Sequence, residues 1–278
     1  MGNFLSKGTS GNMITRIVTA VLALALFIPV LIFSYTWIYP AVIALLCVVG
    51  TYEMLGCTGV RRKLFVSVPS LLLAVMSPLL ARALPGALYP LYLVFMIYFV
   101  FASVIFRPSA DISELAKTAF IIAFVVFGFS SLVIVCDAAP LYYLLVFIAA
   151  WSTDTFAYFA GSLLGRHKLC PEISPKKTVE GAIGGVLGCV AVFLAFGAYR
   201  LWFNDLQPNW LLLALLAVPA SAVSMLGDLS ASVIKRSFGI KDYGNIFPGH
   251  GGVLDRFDSI LPLGILAAAA IWVVGILW

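Results

Sequence analysis

Long apolar runs alternate with short polar segments along nearly the whole chain. Each run is about 20 residues long, the length at which a helix crosses a hydrocarbon core roughly 30 Å thick. The nine runs are residues 13–34, 37–56, 64–82, 88–106, 117–136, 141–163, 181–201, 208–227 and 259–278. The pattern predicts an all-α polytopic integral membrane protein with about nine transmembrane helices.

Composition agrees with this pattern. The mean hydropathy is +1.09 and 10% of the residues are charged, whereas about 25% are charged in soluble domains. The first apolar run follows Lys7 and Arg16, but it is longer than the core of a signal peptide and no small-residue cleavage site follows it. We therefore interpret it as a retained first span. The five cysteines are scattered and favour neither a disulfide framework nor a metal knuckle.

The placement of basic residues predicts the orientation in the membrane. With nine spans, all of the 17 Lys and Arg residues except Arg82 and Arg200 fall on one side. The positive-inside rule then predicts a cytoplasmic N-terminus and a C-terminus on the opposite side. The formal net charge of +5 would face the cytoplasm, where it could hold anionic lipid head groups or a phosphorylated substrate. For the cluster Arg61–Lys63, setting the topology is a sufficient explanation.

Polar residues are distributed unequally between the two halves. Residues 1–140 carry spans 1–5 and are expected to form a scaffold. Residues 141–278 carry spans 6–9 and the predicted cytoplasmic loops 164–180 and 227–258, which hold most of the candidate chemistry. The two loops lie on the same side by the span count, so they could form one site.

The end of the sixth span places a carboxylate within a membrane helix. Asp154, Tyr158, Gly161 and Gly165 are spaced to share one helix face. A charged residue inside a span usually faces a water-filled cavity or a partner. Pairing of Asp154 with a Lys or Arg at the interface is the simpler alternative. The two glycines indicate close packing of another helix.

The segment 171-PEISPKKTVEG-181 concentrates donors for an anion. Lys176 and Lys177 provide compact positive charges that suit phosphate oxygens. Ser174, Thr178 and the amides of a helix start add hydrogen-bond donors. A positively charged anchor at the membrane surface is the alternative explanation.

A polar stripe follows the eighth span if its helix continues beyond the membrane surface. The stripe consists of Ser221, Ser224, Asp228, Ser232 and either Lys235 or Arg236. Because a polar stripe on a membrane helix faces a cavity rather than lipid, Asp228 is predicted to lie in a polar site near the head groups.

The segment 246-IFPGHGGVLDRFDS-259 combines glycines with charge just before the last span. Gly251 and Gly252 could let backbone amides cradle an anion. Asp255 and Asp258 are three residues apart and could join Asp228 as oxygen ligands of Mg²⁺, although helix capping would also explain Asp258. His250 could act as a base or a phosphate donor, or bond to backbone.

Together these segments predict a phosphoryl- or nucleotidyl-transfer enzyme at the membrane surface. The acidic residues could hold a divalent cation, and the lysines and arginines of two loops could hold phosphates. Positioning and charge neutralisation supply most of the catalysis in such enzymes.

These motifs resemble the phosphatidate cytidylyltransferase (CDP-diacylglycerol synthase) family. The resemblance extends upstream to Asp154–Tyr158 and Ser174–Gly181, whereas the first five spans carry no motif that supports it. The signature residues are Ser232-x-x-Lys235-Arg236-x4-Lys241-Asp242-x-Gly244-x-x-Phe247-Pro248-x-His250-Gly251-Gly252-x-x-Asp255-Arg256-x-Asp258.

The resemblance implies an integral membrane enzyme of phospholipid biosynthesis. It would use Mg²⁺, with a second cation left open, to convert CTP and phosphatidic acid to CDP-diacylglycerol and pyrophosphate. It would be a homodimer in the bacterial inner membrane, with its active site on the cytoplasmic side and no nucleic-acid partner.

We assign residue roles on that basis as hypotheses. The expected catalytic residues are Asp228, Asp255, Lys235 and Arg236. The expected metal ligands are Asp228 and Asp255, followed by Asp258 and Asp154. The expected substrate-binding residues are Lys176, Lys177, Ser174, Thr178, Ser232, Lys241, His250, Gly251, Gly252 and Arg256.

Two other functions could use some of these basic and acidic residues. A CTP-dependent lipid kinase would act on a lipid alcohol and release free CDP, so product analysis separates it from a cytidylyltransferase. A transporter could use Asp154 and Asp228 as coupling groups. Transporters often show internal repeats and midplane sites, whereas this chain shows no repeat and its polar residues cluster at one surface.

Overall fold

The computed structural model describes residues 13–107, 111–204, 207–249 and 251–277. The described chain is a bundle of helices with one small β-hairpin. The helices are α1 Met13–Ile32, α2 Ile38–Cys57, α3 Leu64–Ala83, α4 Leu88–Ile105, α5 Ile112–Ile121, α6 Phe127–Ala138, α7 Leu144–Leu164, α8 Val179–Asn204, α9 Trp210–Ser237, α10 Leu254–Phe257 and α11 Ile260–Leu277. A π-helical turn, Ile122–Val126, joins α5 to α6, and strands β1 Lys168–Cys170 and β2 Ser174–Thr178 form the hairpin.

The membrane-protein prediction holds in its main feature. In the described parts of the chain, seven helical segments are long and apolar enough to cross a bilayer. Two further segments, Val21–Ile32 and Ile260–Val273, are apolar over shorter lengths. Nine crossings and the sides of the two termini therefore stay predictions. The hairpin is an addition to the predicted all-α fold.

Close packing holds the helices together, since burial of apolar surface cannot drive association between helices that are already in lipid. Helices α7 and α8 approach most closely where glycines meet. A Cβ atom on Gly181 would lie 2.8 Å from the carbonyl oxygen of Ala157, and Gly161 lies directly opposite. The sequence predicts that another helix packs closely against Gly161, and in the structure that helix is α8.

The last helix is anchored by an aromatic cluster just before it starts. Phe257 packs edge-on against Phe27 of α1, with ring centroids 5.8 Å apart. It also packs in a tilted orientation against Phe129 of α6, with centroids 5.2 Å apart. All three rings belong to the apolar core or pack against it. The cluster fixes the position of the segment that carries Asp255 and Asp258.

A polar cluster ties helices together at the opposite end of the bundle from the hairpin. The guanidinium of Arg82 in α3 donates to both carboxylate oxygens of Asp137 at the end of α6. It also donates to the backbone carbonyls of Ser34 and Thr36, between α1 and α2. One side chain thus connects the ends of four helices.

Replacing Arg82 with methionine should therefore destabilise the bundle without impairing catalysis. The change leaves two carbonyls and a carboxylate without their donor, and we expect the free energy of unfolding to fall by about 1–3 kcal/mol. Denaturation in detergent measures the loss, and activity per folded molecule should match the wild type. Wild-type stability would show that these contacts contribute nothing.

Candidate active site

The hairpin presents the two adjacent lysines of the predicted anion-binding segment. β1 and β2 pair antiparallel, with Lys168 opposite Thr178. The Glu180 carboxylate at the start of α8 accepts hydrogen bonds from the amides of Arg166 and His167, at 3.1 and 3.2 Å. It also contacts the His167 ring at Nδ1, 2.6 Å away. These contacts fix the entry of the hairpin against α8.

Two hydroxyl residues of this segment have different surroundings. Thr178 is buried, and its Oγ1 accepts a hydrogen bond from the amide of Gly181 at 3.1 Å. It therefore caps the first turn of α8, and since Thr178 also lines the cavity beside the hairpin, its role in binding stays a prediction. Ser174 is half-buried on β2 and lines a cavity beside the hairpin.

The predicted polar stripe of α9 exists, because this helix continues to Ser237. Ser221 and Ser224 are fully buried, and the Ser221 hydroxyl receives a hydrogen bond from Thr153 of α7 at 3.0 Å. The stripe continues through Asp228 to Lys235, which is buried. Arg236 points elsewhere and donates to the carbonyl of Ile240 at 3.2 Å. Of the two cations that the sequence offered, Lys235 is the one on the stripe.

The hairpin and α9 meet at one point. The Lys177 ammonium lies 2.5 Å from a carboxylate oxygen of Asp228. Beside this pair is a cavity of about 480 Å³ between α7, α8, α9 and the hairpin, and we call it the hairpin cavity. Its walls include Asp154, Ser174, Lys176, Lys177 and Asp228. The structure therefore brings together the two loop regions that the sequence places on one side of the membrane.

Asp255 organises the loop before α11. Its carboxylate is 4% exposed and lies 2.7 Å from the Lys235 ammonium. It also accepts hydrogen bonds from the amides of Tyr243 and Gly252, at 2.8 and 2.9 Å. The Lys235 ammonium is 5.2 Å from the centre of the Tyr243 ring. Asp255 thereby joins the signature loop to the end of α9.

Asp258 is a buried carboxyl group that is influenced by the charges of three others. It is 7% exposed, and its backbone touches α9 at Gly227, where a Cβ atom would lie 2.7 Å from the Asp258 carbonyl oxygen. Burial raises the pKa of Asp258 to about 8, and the charges of Asp228, Asp154 and Asp255 act in the same direction, while Lys235 opposes them. Burial and the neighbouring carboxylates therefore both favour the neutral form of the Asp258 carboxyl.

The glycine pair of the signature lies against the Asp255 carboxylate. Gly251 has a positive φ of 82°, and a Cβ atom on it would lie 2.7 Å from a carboxylate oxygen of Asp255. The amide of Gly252 donates to Asp255, and the role of both glycines in cradling a phosphate stays a prediction. These glycines give a carboxylate of the protein room to approach the loop.

The remaining predicted residues occupy the edge of the site. Ser232 is half-buried, and Lys176, Lys241 and Arg256 are exposed. His250 lies outside the described residues. Within the described ranges, no three His, Cys, Asp or Glu side chains form a ready-made metal site. Roles in catalysis or binding for these residues stay predictions.

Sequence reasoning missed one residue of this region, Glu53 of α2. Its carboxyl group is buried and accepts hydrogen bonds from the amides of Val253 and Leu254, at 3.0 and 2.9 Å. The signal was available, because Glu53 is an acidic residue within a predicted span, as Asp154 is.

This fold and site define a class of protein. The chain is an integral membrane protein in which lysines and carboxylates from separate segments converge on a cavity at one end of a helix bundle. Such an arrangement suits an enzyme that handles phosphate groups, because ammonium groups hold phosphate oxygens.

Comparison with known proteins identifies the family. Residues 14–274 match the model of the cytidylyltransferase family. A phosphatidate cytidylyltransferase of Staphylococcus epidermidis is 36% identical over 257 residues, which cover 89% of this chain and 96% of that protein. One of Staphylococcus aureus is 37% identical over 260 residues, with the same coverage of both chains. The chain belongs to the cytidylyltransferase family and is a nucleotidyltransferase, which confirms the resemblance of its motifs.

Proposed function

We propose that the chain is a phosphatidate cytidylyltransferase whose active site is the hairpin cavity. It transfers the cytidylyl group of CTP to phosphatidic acid and yields CDP-diacylglycerol and pyrophosphate. The reaction supports phospholipid biosynthesis. The names of its relatives and the family membership support the reaction.

The observation that carries the placement of the site is the contact between Lys177 and Asp228. These residues lie on separate segments, and their charged groups are 2.5 Å apart at the wall of a cavity. A lipid phosphate at the membrane surface and a nucleotide from water could both reach such a cavity. No other pair of described residues joins the lysine hairpin to the acidic stripe by a salt bridge.

The chemistry needs little from a general base. A phosphate oxygen of phosphatidic acid attacks the α-phosphorus of CTP and forms the new P–O bond. The bond from the α-phosphorus to the oxygen that bridges it to the β-phosphorus breaks, and pyrophosphate leaves with that oxygen. Because a phosphate monoester is already ionised near neutral pH, we assign His250 to positioning rather than to proton transfer.

The lysines supply positive charge for the phosphates. Lys177 and Lys235 each pair with a carboxylate in the structure, at 2.5 and 2.7 Å. Substrate phosphates would compete with these carboxylates for the ammonium groups. Lys176 and Lys241 are exposed nearby and extend the positive field toward water. Arg256 and Arg236 contribute at longer range.

The carboxylates fit a divalent cation by charge and by type of donor. Burial and three neighbouring carboxylates raise the pKa of Asp258 to about 8, and a bound cation would act in the opposite direction and favour the ionised carboxylate. Asp228 and Asp255, with Asp258 and Asp154, would hold Mg²⁺ directly or through water, since Mg²⁺ prefers oxygen ligands and retains several waters. The bound ion would neutralise charge on the triphosphate.

Location and assembly complete the proposal. The distribution of Lys and Arg along the sequence supports a hairpin cavity on the cytoplasmic side, and the bacterial origin of the chain's relatives supports the bacterial inner membrane. We retain the homodimer as a prediction, and the mass of the detergent-solubilised protein tests it.

Product analysis tests the reaction. Purified protein is incubated with phosphatidic acid, Mg²⁺ and CTP that is labelled either in the cytosine or in the γ-phosphate. We expect the cytosine label to enter the lipid phase and the γ-label to appear in pyrophosphate. A parallel incubation replaces phosphatidic acid with diacylglycerol, and entry of the γ-label into that lipid, with free CDP in water, would identify a lipid kinase instead.

A further inference from the structure

A carboxyl group from the first half of the bundle holds the loop that carries Asp255. Glu53 lies near the end of α2 and is 6% exposed. Its two oxygens accept separate hydrogen bonds, from the amide of Val253 at 3.0 Å and from the amide of Leu254 at 2.9 Å. Both donors lie at least 200 residues away in the chain. Glu53 thus provides the acceptors for the amides at the start of α10.

The loop is shaped to admit this carboxyl group. Gly244 and Gly252 both face it, and a Cβ atom on either glycine would overlap the Glu53 side chain. A larger residue at either position would have to displace Glu53 or the loop backbone. Gly244 and Gly252 therefore leave the space that the Glu53 carboxyl group occupies.

Glu53 and Asp255 share the same stretch of backbone. The amide of Gly252 donates to Asp255, and the next two amides donate to Glu53. Because these three amides are consecutive, a shift of residues 253–254 would also move the hydrogen bond that orients Asp255. Asp255 in turn pairs with Lys235 of α9. The position of Glu53 is thereby coupled to the carboxylate that the proposed function assigns to Mg²⁺.

We propose that Glu53 is a positioning residue for cytidylyl transfer. It touches no substrate and acts by fixing residues 252–255 against α2, so that Asp255 and Asp258 keep their places beside α9. The proposal rests on the function proposed above, because it treats these carboxylates as the cation-binding groups. It assigns a function to a helix of the predicted scaffold.

The test compares Glu53→Gln and Glu53→Asp with the wild type. Gln keeps one acceptor oxygen but places a donor nitrogen against the second amide, whereas Asp keeps both oxygens on a shorter side chain. Residues that orient metal ligands typically change affinity or activity about 10–100-fold when they are replaced. We expect Glu53→Gln to raise the Mg²⁺ concentration for half-maximal transfer by about that factor, with partial recovery at high Mg²⁺. Glu53→Asp should fall between Gln and the wild type.

Amide hydrogen exchange provides a readout that does not depend on activity. In Glu53→Gln, exchange should become faster within residues 243–257 and stay unchanged in α3 and α4. The matched control is Asp137→Asn, which makes the same chemical change at the far end of the bundle. Asp137→Asn should lower thermal stability but leave the Mg²⁺ dependence at the wild-type value.

Several outcomes would overturn the proposal. These are a wild-type Mg²⁺ dependence in Glu53→Gln, unchanged exchange in its loop, or the same rise in Mg²⁺ requirement in Asp137→Asn. Failure of both Glu53 variants to fold would also overturn it, because Glu53 would then hold the whole bundle. If the wild type transfers no cytidylyl group, the proposed function fails. The exchange measurement would still show whether Glu53 holds the loop that carries Asp255.

Discussion

Replacing Asp228 with asparagine should nearly abolish cytidylyl transfer while the helix bundle stays folded. Asn has almost the same size but cannot neutralise Lys177 or contribute charge to a cation site. Removing one electrostatic contact of this kind commonly lowers the rate about 10²- to 10³-fold. The fold should tolerate the change, because the Lys177 side chain is 25% exposed and can reach water. Transfer of cytosine label into lipid measures the rate.

A matched control separates this effect from a general loss of charge near the hairpin. Glu172 is exposed in the turn of the hairpin, so Glu172→Gln makes the same chemical change outside the cavity. Its transfer rate should match that of the wild type. Substantial activity in Asp228→Asn would remove Asp228 from the catalytic set.

The second large effect is expected at Lys235, where stability and catalysis should both fall. Lys235→Met leaves the Asp255 carboxylate buried without its cation. Breaking a buried pair in this way costs about 3–5 kcal/mol. We expect a marked drop in thermal stability together with loss of transfer.

A double variant distinguishes the two contributions. In Lys235→Met/Asp255→Asn the uncompensated buried charge is gone, so much of the lost stability should return. Activity should not return, because the Lys235 ammonium proposed to hold phosphate and the Asp255 carboxylate proposed to hold Mg²⁺ are both missing. Denaturation in detergent and the lipid-transfer assay are measured on the same samples. If the double variant is no more stable than Lys235→Met, the pair does not contribute as a buried salt bridge.

The sequence was sufficient to predict most helix positions. The thickness of the bilayer sets the length of an apolar run, so α3 and α4 end within one residue of their predicted ends. The extension of α9 beyond its apolar part also followed from the spacing of its polar residues. The hairpin was not predicted, because its strands are three and five residues long. Strands that short carry too few alternating residues to give a pattern.

The sequence predicted which residues belong to the site better than it predicted which of them contact each other. The sequence indicated that Lys177, Asp228 and Asp255 belong to one site. It did not indicate that Lys177 pairs with Asp228 or that Asp255 pairs with Lys235, because those pairings depend on how α9 and the hairpin meet in space. Glu53 stands out in the sequence as an acidic residue within a predicted span, but its contact could not be predicted, since its partners are backbone amides at least 200 residues away.

A comparison of two cavities tests whether transfer takes place in the hairpin cavity. A second cavity of about 400 Å³ lies between α2, α5 and α9. Ser162 lines the hairpin cavity and Ser113 lines the second one, so Ser162→Trp and Ser113→Trp place the same bulky side chain in each. Transfer of cytosine label from CTP into lipid is measured for both folded variants. We expect Ser162→Trp to lose transfer and Ser113→Trp to retain it, and the reverse result would exclude the hairpin cavity as the site of transfer.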